Sequence, residues 1–186
     1  DSGAELWRWG TWNEGHREPW WRLVPTPVVG AGSVLVCAPK RAPIYCLELG
    51  GSGMLDEQAL VWKSSGRPNR VSSDVPTPLF YQGDFFVLSD VERALSRLDP
   101  ANGAVKWATE LPEGGPWEAS PTGADGRVWC LSHEGLLVGV DAQSGKLTTS
   151  LALGREDEGP ARASVAPAHG RLFVRTNGRL LALGGP

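Results

Sequence analysis

The chain is poor in lysine, with four in 186 residues, and has only three cysteines and three histidines. Its net charge of −3 removes the electrostatic basis for binding nucleic acid or an anionic membrane. No apolar run approaches the length of a membrane-spanning helix. No serine stands in a Gly-x-Ser-x-Gly setting, and the Gly50-Gly51-Ser52-Gly53 run lacks the lysine and following helix of a phosphate loop. That run reads as a flexible insert. No segment keeps a sustained helical period, so a helical architecture is excluded. Aromatics are few apart from nine tryptophans, whereas the 24 glycines and 15 prolines are spread along the whole chain. Many short strands joined by tight turns fit that composition; a disordered tail does not.

A repeat organises what is present. A small hydroxyl residue followed by proline occurs at Thr26-Pro27, Thr77-Pro78 and Ser120-Pro121, and Ser164-Val165 is a fourth copy without the proline. A glycine follows at a constant distance: Gly32, Gly83, Gly126 and Gly170. Beyond each glycine come apolar residues at spacing two: Val34 and Val36, Phe85 and Val87, Val128 and Cys130, Leu172 and Val174. Period-2 apolar residues after a glycine turn predict a β-hairpin with one buried face. The second half of the unit also recurs. Leu98-Asp99 leads through Gly103 to Trp107, and Val140-Asp141 leads through Gly145 to Thr149. Leu47-Glu48 begins the same stretch in the first copy, which reaches Trp62 after an insert over residues 50–57. Aspartate four residues ahead of glycine predicts a turn whose carboxylate accepts backbone N–H groups.

Each unit therefore holds four short strands, and the anchor prolines recur at roughly 43–51 positions, the blade length of a β-propeller. The predicted fold is all-β. Units fall at residues 24–62, 75–111, 118–153 and 163–183, the last without a fourth strand, and residues 1–9 read as the outer strand of a preceding blade. Residues 10–25 are irregular and rich in tryptophan. An N-terminus that enters the repeat in mid-turn is expected to come from a longer protein, whose targeting segment lies outside the sequence. Leu6 to Trp9 is then the natural partner for the strand-deficient fourth unit. Such pairing closes a four-bladed ring within one chain, or lets two copies form a homodimer with eight blades.

The motif Ser/Thr-Pro-x4-Gly-x-Val-x-Val, followed by Leu-Asp-x-x-x-Gly-x-x-x-Trp, resembles the PQQ-like (quinoprotein-type) propeller repeat family over essentially the whole chain. It looks closest to its BamB-like members and related bacterial secreted proteins. The resemblance implies a ring of about eight blades, of which this chain is the C-terminal half. It also implies a periplasmic or extracellular location, and outer-strand tryptophans (Trp7, Trp62 and Trp107) that dock between neighbouring blades. Thr149 breaks that column.

The quinoprotein alcohol dehydrogenases share the repeat. By that resemblance, quinone chemistry needs a calcium held by acidic and amide oxygens, a catalytic aspartate and often two adjacent cysteines. Asp74, Asp84, Asp90, Asp99, Asp125 and Asp141 fall instead at repeat-determined turns and loops, and Cys37, Cys46 and Cys130 are not adjacent. Repeat alignment sets Gly139 across from Val128 and Cys46 across from Val34, so Cys37 and Cys46 read as buried free thiols. His16, His133 and His169 lack ligand spacing, and Glu156-Asp157-Glu158 reads as a solvated loop. No catalytic, cofactor or metal residues are assigned. The candidate interaction surface is Trp12, Trp20, Trp21, Arg22 and Arg41, because exposed tryptophan anchors partners; packing between blades is the competing role for these indoles. The expected function is a non-enzymatic scaffold for protein partners, with no cofactor. The alternative is a quinone-dependent (PQQ with calcium) oxidoreductase or a carbohydrate-binding propeller.

Overall fold

The structure is a computed structural model that describes residues 2–10, 23–38, 41–64 and 71–184. The first sheet holds β2 (Val28–Gly30), β3 (Ser33–Val36), β4 (Tyr45–Glu48) and β6 (Leu60–Lys63). The second holds β7 (Leu79–Tyr81), β8 (Asp84–Ser89), β9 (Ala94–Leu98) and β10 (Val105–Glu110). In the third are β11 (Thr122–Ala124), β12 (Arg127–Leu131), β13 (Leu136–Asp141) and β14 (Leu147–Ala152). The fourth has three strands, β15 (Ala166–Ala168), β16 (Arg171–Arg175) and β17 (Leu180–Leu183). Neighbouring strands in each of these four sheets are antiparallel and follow the chain order, with only an insert between β4 and β6, so each sheet is one propeller blade.

The first hairpin of every blade turns on two residues of positive φ: Ala31-Gly32, Gln82-Gly83, Asp125-Gly126 and His169-Gly170. This is the type I′ turn, whose twist matches that of the flanking strands. The second repeat turn also forms as its sequence predicts. Asp99 accepts the Ala101 N–H at 2.9 Å and Asp141 accepts the Ser144 N–H at 2.7 Å. Both carboxylates are held below the usual range: Asp99 first by its backbone partner at Ala101, Asp141 first by the Ser144 hydroxyl.

Blades pack face to face, and the central strands are buried on both sides, not on one. Phe85 and Val87 of β8 join Leu35, Cys46 and Trp62 of the first blade, while Phe86 and Leu88 face Val128, Cys130, Val138 and Val140 of the third. A third cluster, with Trp129, Leu131, Leu137 and Val174, joins blades three and four. A strand sandwiched between two neighbours carries apolar residues on both faces, which is why β8 is buried throughout.

Outer-strand indoles lock these interfaces. Trp62 donates Nε1–H to Pro100 O at 2.7 Å, and Trp107 donates to Ala142 O at 3.3 Å, each acceptor lying in the next blade's Asp-turn. A Cβ at Gly103 would stand 2.6 Å from the Trp62 ring, and one at Gly145 2.7 Å from the Trp107 ring. Glycine in that column therefore seats the indole as well as taking positive φ. At the inner radius the anchor hydroxyls form a ladder: Thr26 N–H donates to Thr77 Oγ1 at 3.0 Å, and Thr77 N–H to Ser120 Oγ at 2.9 Å.

Three expectations are corrected. The strand at residues 7–9, β1 (Trp7–Trp9), does not extend blade four; it pairs in parallel with β5 (Gly53–Leu55) of the insert. The insert offers an extended segment beside the first blade, where Trp9 packs on Tyr45 at 5.2 Å and donates Nε1–H to Asp56 O. A 3-10 turn, Glu57–Ala59, follows β5 with Asp56 capping it, so the insert is structured. The register also differs by one residue: Leu35 faces Cys46 and Trp129 faces Gly139. A one-residue slip moves every side chain to the other face. Cys37, Cys46 and Cys130 are buried and free.

Candidate functional site

The blades present two ends. The turn face carries the type I′ and Asp-turns. The loop face carries residues 37–38 and 41–44, the second hairpins at 90–93, 132–135 and 176–179, and the connectors at 71–78, 112–121 and 153–165. Of the residues singled out from sequence, Trp12, Trp20, Trp21 and Arg22 lie outside the described residues. Arg41 lies on the loop face, in left-handed backbone at φ 62°, and its guanidinium reaches Glu92 of the next blade at 3.2 Å.

Further along this face, Glu118 Oε2 stands 2.7 Å from His133 Nε2 and 3.3 Å from Arg162 Nε. Arg162 Nε also approaches His133 Nε2 at 3.4 Å, so the three side chains form one cluster. Asp90 takes the Asp74 N–H at 3.0 Å. Burial pushes the Asp90 carboxyl above the usual range, against the hydrogen bond from Asp74, and the charges of Asp74 and Glu118 add to the rise. Glu158, expected in a solvated loop, is instead gripped by Arg179 through both carboxylate oxygens, with Arg179 Nη2 also donating to Leu153 O at 2.5 Å. Arg179 holds the Glu158 carboxyl down at about 2. A depression of about 520 Å³, lined by Pro116, His133, Glu134, Arg155 and Pro160, opens beside the Glu118–His133 pair.

On the turn face, Asp84 is the residue that repeat reasoning missed. It is not a turn former. It opens β8 with its side chain 6% exposed, and bonds Arg97 Nε at 2.5 Å and Lys106 Nζ at 2.8 Å. Arg97 crosses to blade three through Ala142 O at 3.0 Å and Gln143 Oε1 at 2.9 Å. The available signal was Arg97 itself, a cation amid the apolar residues of β9, where β4 has Cys46 and β13 has Gly139.

A groove of about 770 Å³ opens between blades three and four toward the turn face. Trp129, Leu137, Leu151, Leu172 and Leu183 line it, with Arg127, His169 and Arg171 at its rim.

Chemically, these groups mostly hold the fold. Ser120 and Ser132 hydroxyls accept backbone N–H groups, from Thr77 and Leu136. Burial pushes the Cys37 and Cys130 thiols up to about 12, which removes them as nucleophiles at neutral pH. Among the described residues no three His, Cys, Asp or Glu converge as metal ligands. The three cysteines lie apart, on β12, on β4 and just beyond β3, and not as an adjacent pair.

Radially packed four-stranded blades, joined by Trp-on-Gly contacts, define a β-propeller of PQQ-like repeats. The sequence matches the family described as outer membrane protein assembly factor BamB over residues 51–185, and the chain belongs to that family. No curated protein matches it in sequence. Among solved structures, BamB from Moraxella catarrhalis is similar at TM-score 0.58 and 17% identity, with 79% of this chain and 40% of that chain covered. Quinohemoprotein alcohol dehydrogenase from Comamonas testosteroni is similar at TM-score 0.63 and 17% identity, with coverage of 84% and 29%. The computationally designed Ika4 protein is similar at TM-score 0.69 and 14% identity, with coverage of 98% and 99%. The chain thus spans less than half the length of the two natural proteins, and these likenesses establish the fold.

Proposed function

We propose that the chain is a non-enzymatic scaffold, acting outside the cytoplasm, that offers its loop face to protein partners. The observation that carries this reading is the use of its polar groups. Arg41–Glu92, Glu118–His133 and Glu158–Arg179 are spent on bracing loops against one another. Rigid loops on a blade framework suit docking, since little ordering entropy is lost when a partner binds. Family membership supports the reading.

Photo-crosslinking residues placed at 41 and 134 on the loop face, and at 143 on the turn face, test it in cells. Adducts from 41 and 134 but not from 143 are expected. Alcohol-dependent dye reduction by the purified protein, requiring both pyrroloquinoline quinone and calcium, would overturn the reading in favour of an oxidoreductase.

A further inference from the structure

Two of the three interfaces between blades are filled by an indole from the outer strand, and the third is not. Trp62 on β6 pairs with Cys46, and Trp107 on β10 pairs with Arg97; the same register on β14 pairs Thr149 with Gly139. Trp62 packs with Phe85 and Leu98, which are cross-strand partners in the next blade. Trp107 packs on the cluster holding Val128 and Val140, partners at the same register in blade three. The matching pair in blade four is Leu172 and Leu183. No indole from β14 covers them; both line the groove of about 770 Å³ and are partly exposed.

The neighbouring strands compensate in part. Trp129 lies over Gly139, where an added Cβ would stand 2.9 Å from its ring, and donates Nε1–H to Ala124 O at 3.3 Å. Its indole, 8% exposed, forms one flat wall of the groove. Leu137 and Leu151 line the groove as well, and Leu172 and Leu183 line it from blade four, packed against the cluster that holds Trp129 and Leu137. At the mouth, the Arg171 guanidinium makes no hydrogen bond or ion pair with any described residue, while the Arg127 guanidinium is already held by Asp125 at 2.7 Å.

We propose that this groove binds a planar aromatic anion of about the size of an indole acid, its ring taking the place that Trp62 and Trp107 fill elsewhere and its carboxylate meeting Arg171. The volume lies within the range of small-molecule sites, as does a mostly apolar lining with few polar groups. A guanidinium at the mouth pairs with a carboxylate through two parallel N–H donors. The site is separate from the loop face, and it stands or falls independently of the scaffold reading.

The test uses indole-3-acetate as the anionic probe and 3-methylindole as its neutral counterpart, with binding measured by calorimetry on the whole chain. Indole-3-acetate should bind saturably at one site. Thr149→Trp restores the repeat's own indole and should weaken that binding by about tenfold or more, while raising the unfolding temperature. Arg171→Ala should weaken indole-3-acetate by about fivefold or more and leave 3-methylindole within about twofold. If Thr149→Trp does not fold by circular dichroism, Leu151→Arg serves as the blocking variant at the half-exposed wall. Absence of saturable binding to the unaltered chain overturns the proposal. So does unchanged affinity in the blocking variant, or an equal loss for both probes in Arg171→Ala.

Discussion

Gly126 and Gly145 share one backbone conformation, φ +71° at each, and differ in what a side chain would meet. Around Gly126 nothing lies within 4 Å of an added Cβ. At Gly145 that atom would stand 2.7 Å from Trp107 Cδ2 and 3.0 Å from Thr109 Oγ1. Gly126→Ala therefore measures left-handed backbone alone, about 1 kcal/mol. Gly145→Ala carries the same backbone term and must also displace an indole that packs on Phe86 at 5.8 Å and donates to Ala142 O. Overpacking of this kind costs about 1–3 kcal/mol, so the total is about 2–4 kcal/mol. Urea unfolding followed by far-UV circular dichroism reads the difference, provided the m-values agree. A double-mutant cycle isolates its cause: in a Trp107→Ala background the cost of Gly145→Ala should fall back to about 1 kcal/mol. Equal costs at the two glycines, or an undiminished cost at Gly145 once the indole is gone, would refute the argument that this column exists to seat tryptophan.

Arg97→Ala leaves Asp84 buried with Lys106 as its remaining cation and should cost about 2–4 kcal/mol in urea unfolding; a cost within experimental error of zero would deny the crossing to Ala142 and Gln143 any role. Glu158, depressed from 4.5 to about 2 by Arg179, contributes stability that is present above the unfolded value and lost as pH falls toward 2. Glu158→Gln should thus be less stable than the parent at pH 7, and the gap should close between pH 4.5 and 2; a gap that is constant over that window contradicts the pairing. Asp90 has the opposite sign. Its folded pKa is raised, so ionisation costs stability at neutral pH, and that cost fades as pH falls through the folded value toward the unfolded 3.8. Asp90→Asn keeps an acceptor for the Asp74 N–H and should raise the urea midpoint at pH 7, whereas a lower midpoint would show that the charge is stabilising.

Local periodicity made the blade legible in the sequence. Each type I′ hairpin has its glycine at the predicted place, because a two-residue turn is a local event with its own φ requirement. The Asp-turns follow for the same reason, since acceptor and turn recur at fixed spacing, whereas the docking of Trp62 and Trp107 between blades was implied by the family resemblance. The polar contacts that cross between blades were not legible. Arg97 meets Ala142 and Gln143 only through the stacking of two sheets, and nothing near Arg97 in sequence encodes that partner. Glu158 lies in an acidic run that reads as solvated until Arg179, 21 residues away, closes on it. The parallel pairing of β1 with β5 has no turn between its strands, so hairpin reasoning could not find it. Cys46 and Gly139 were set one residue off their partners because the apolar pattern of a strand buried on both faces does not fix which face is which.

The two columns that define the repeat are also its two means of joining blades, and both change at the same interface. Between blades one, two and three, the hydroxyl ladder links the inner radius and the indole links the outer. Between blades three and four the anchor is Ser164-Val165 without proline, and the tryptophan position holds Thr149. A different set of contacts replaces them: Thr122 Oγ1 donates to Val165 O at 2.9 Å, and Trp129 spreads over Gly139 from the central strand. A stray loss of one tryptophan would leave Arg or Cys beneath it, as in the other blades, and a void. Here the residue beneath is glycine and the indole has moved inward, so the substitutions at 129, 139 and 149 act as one unit. Thr149 lies two residues from Leu151 on the same face of β14, and Leu151 lines the groove, so a tryptophan restored at 149 is expected to stand at the edge of the groove. That geometry is why Thr149→Trp should stabilise the fold and close the site in the same step.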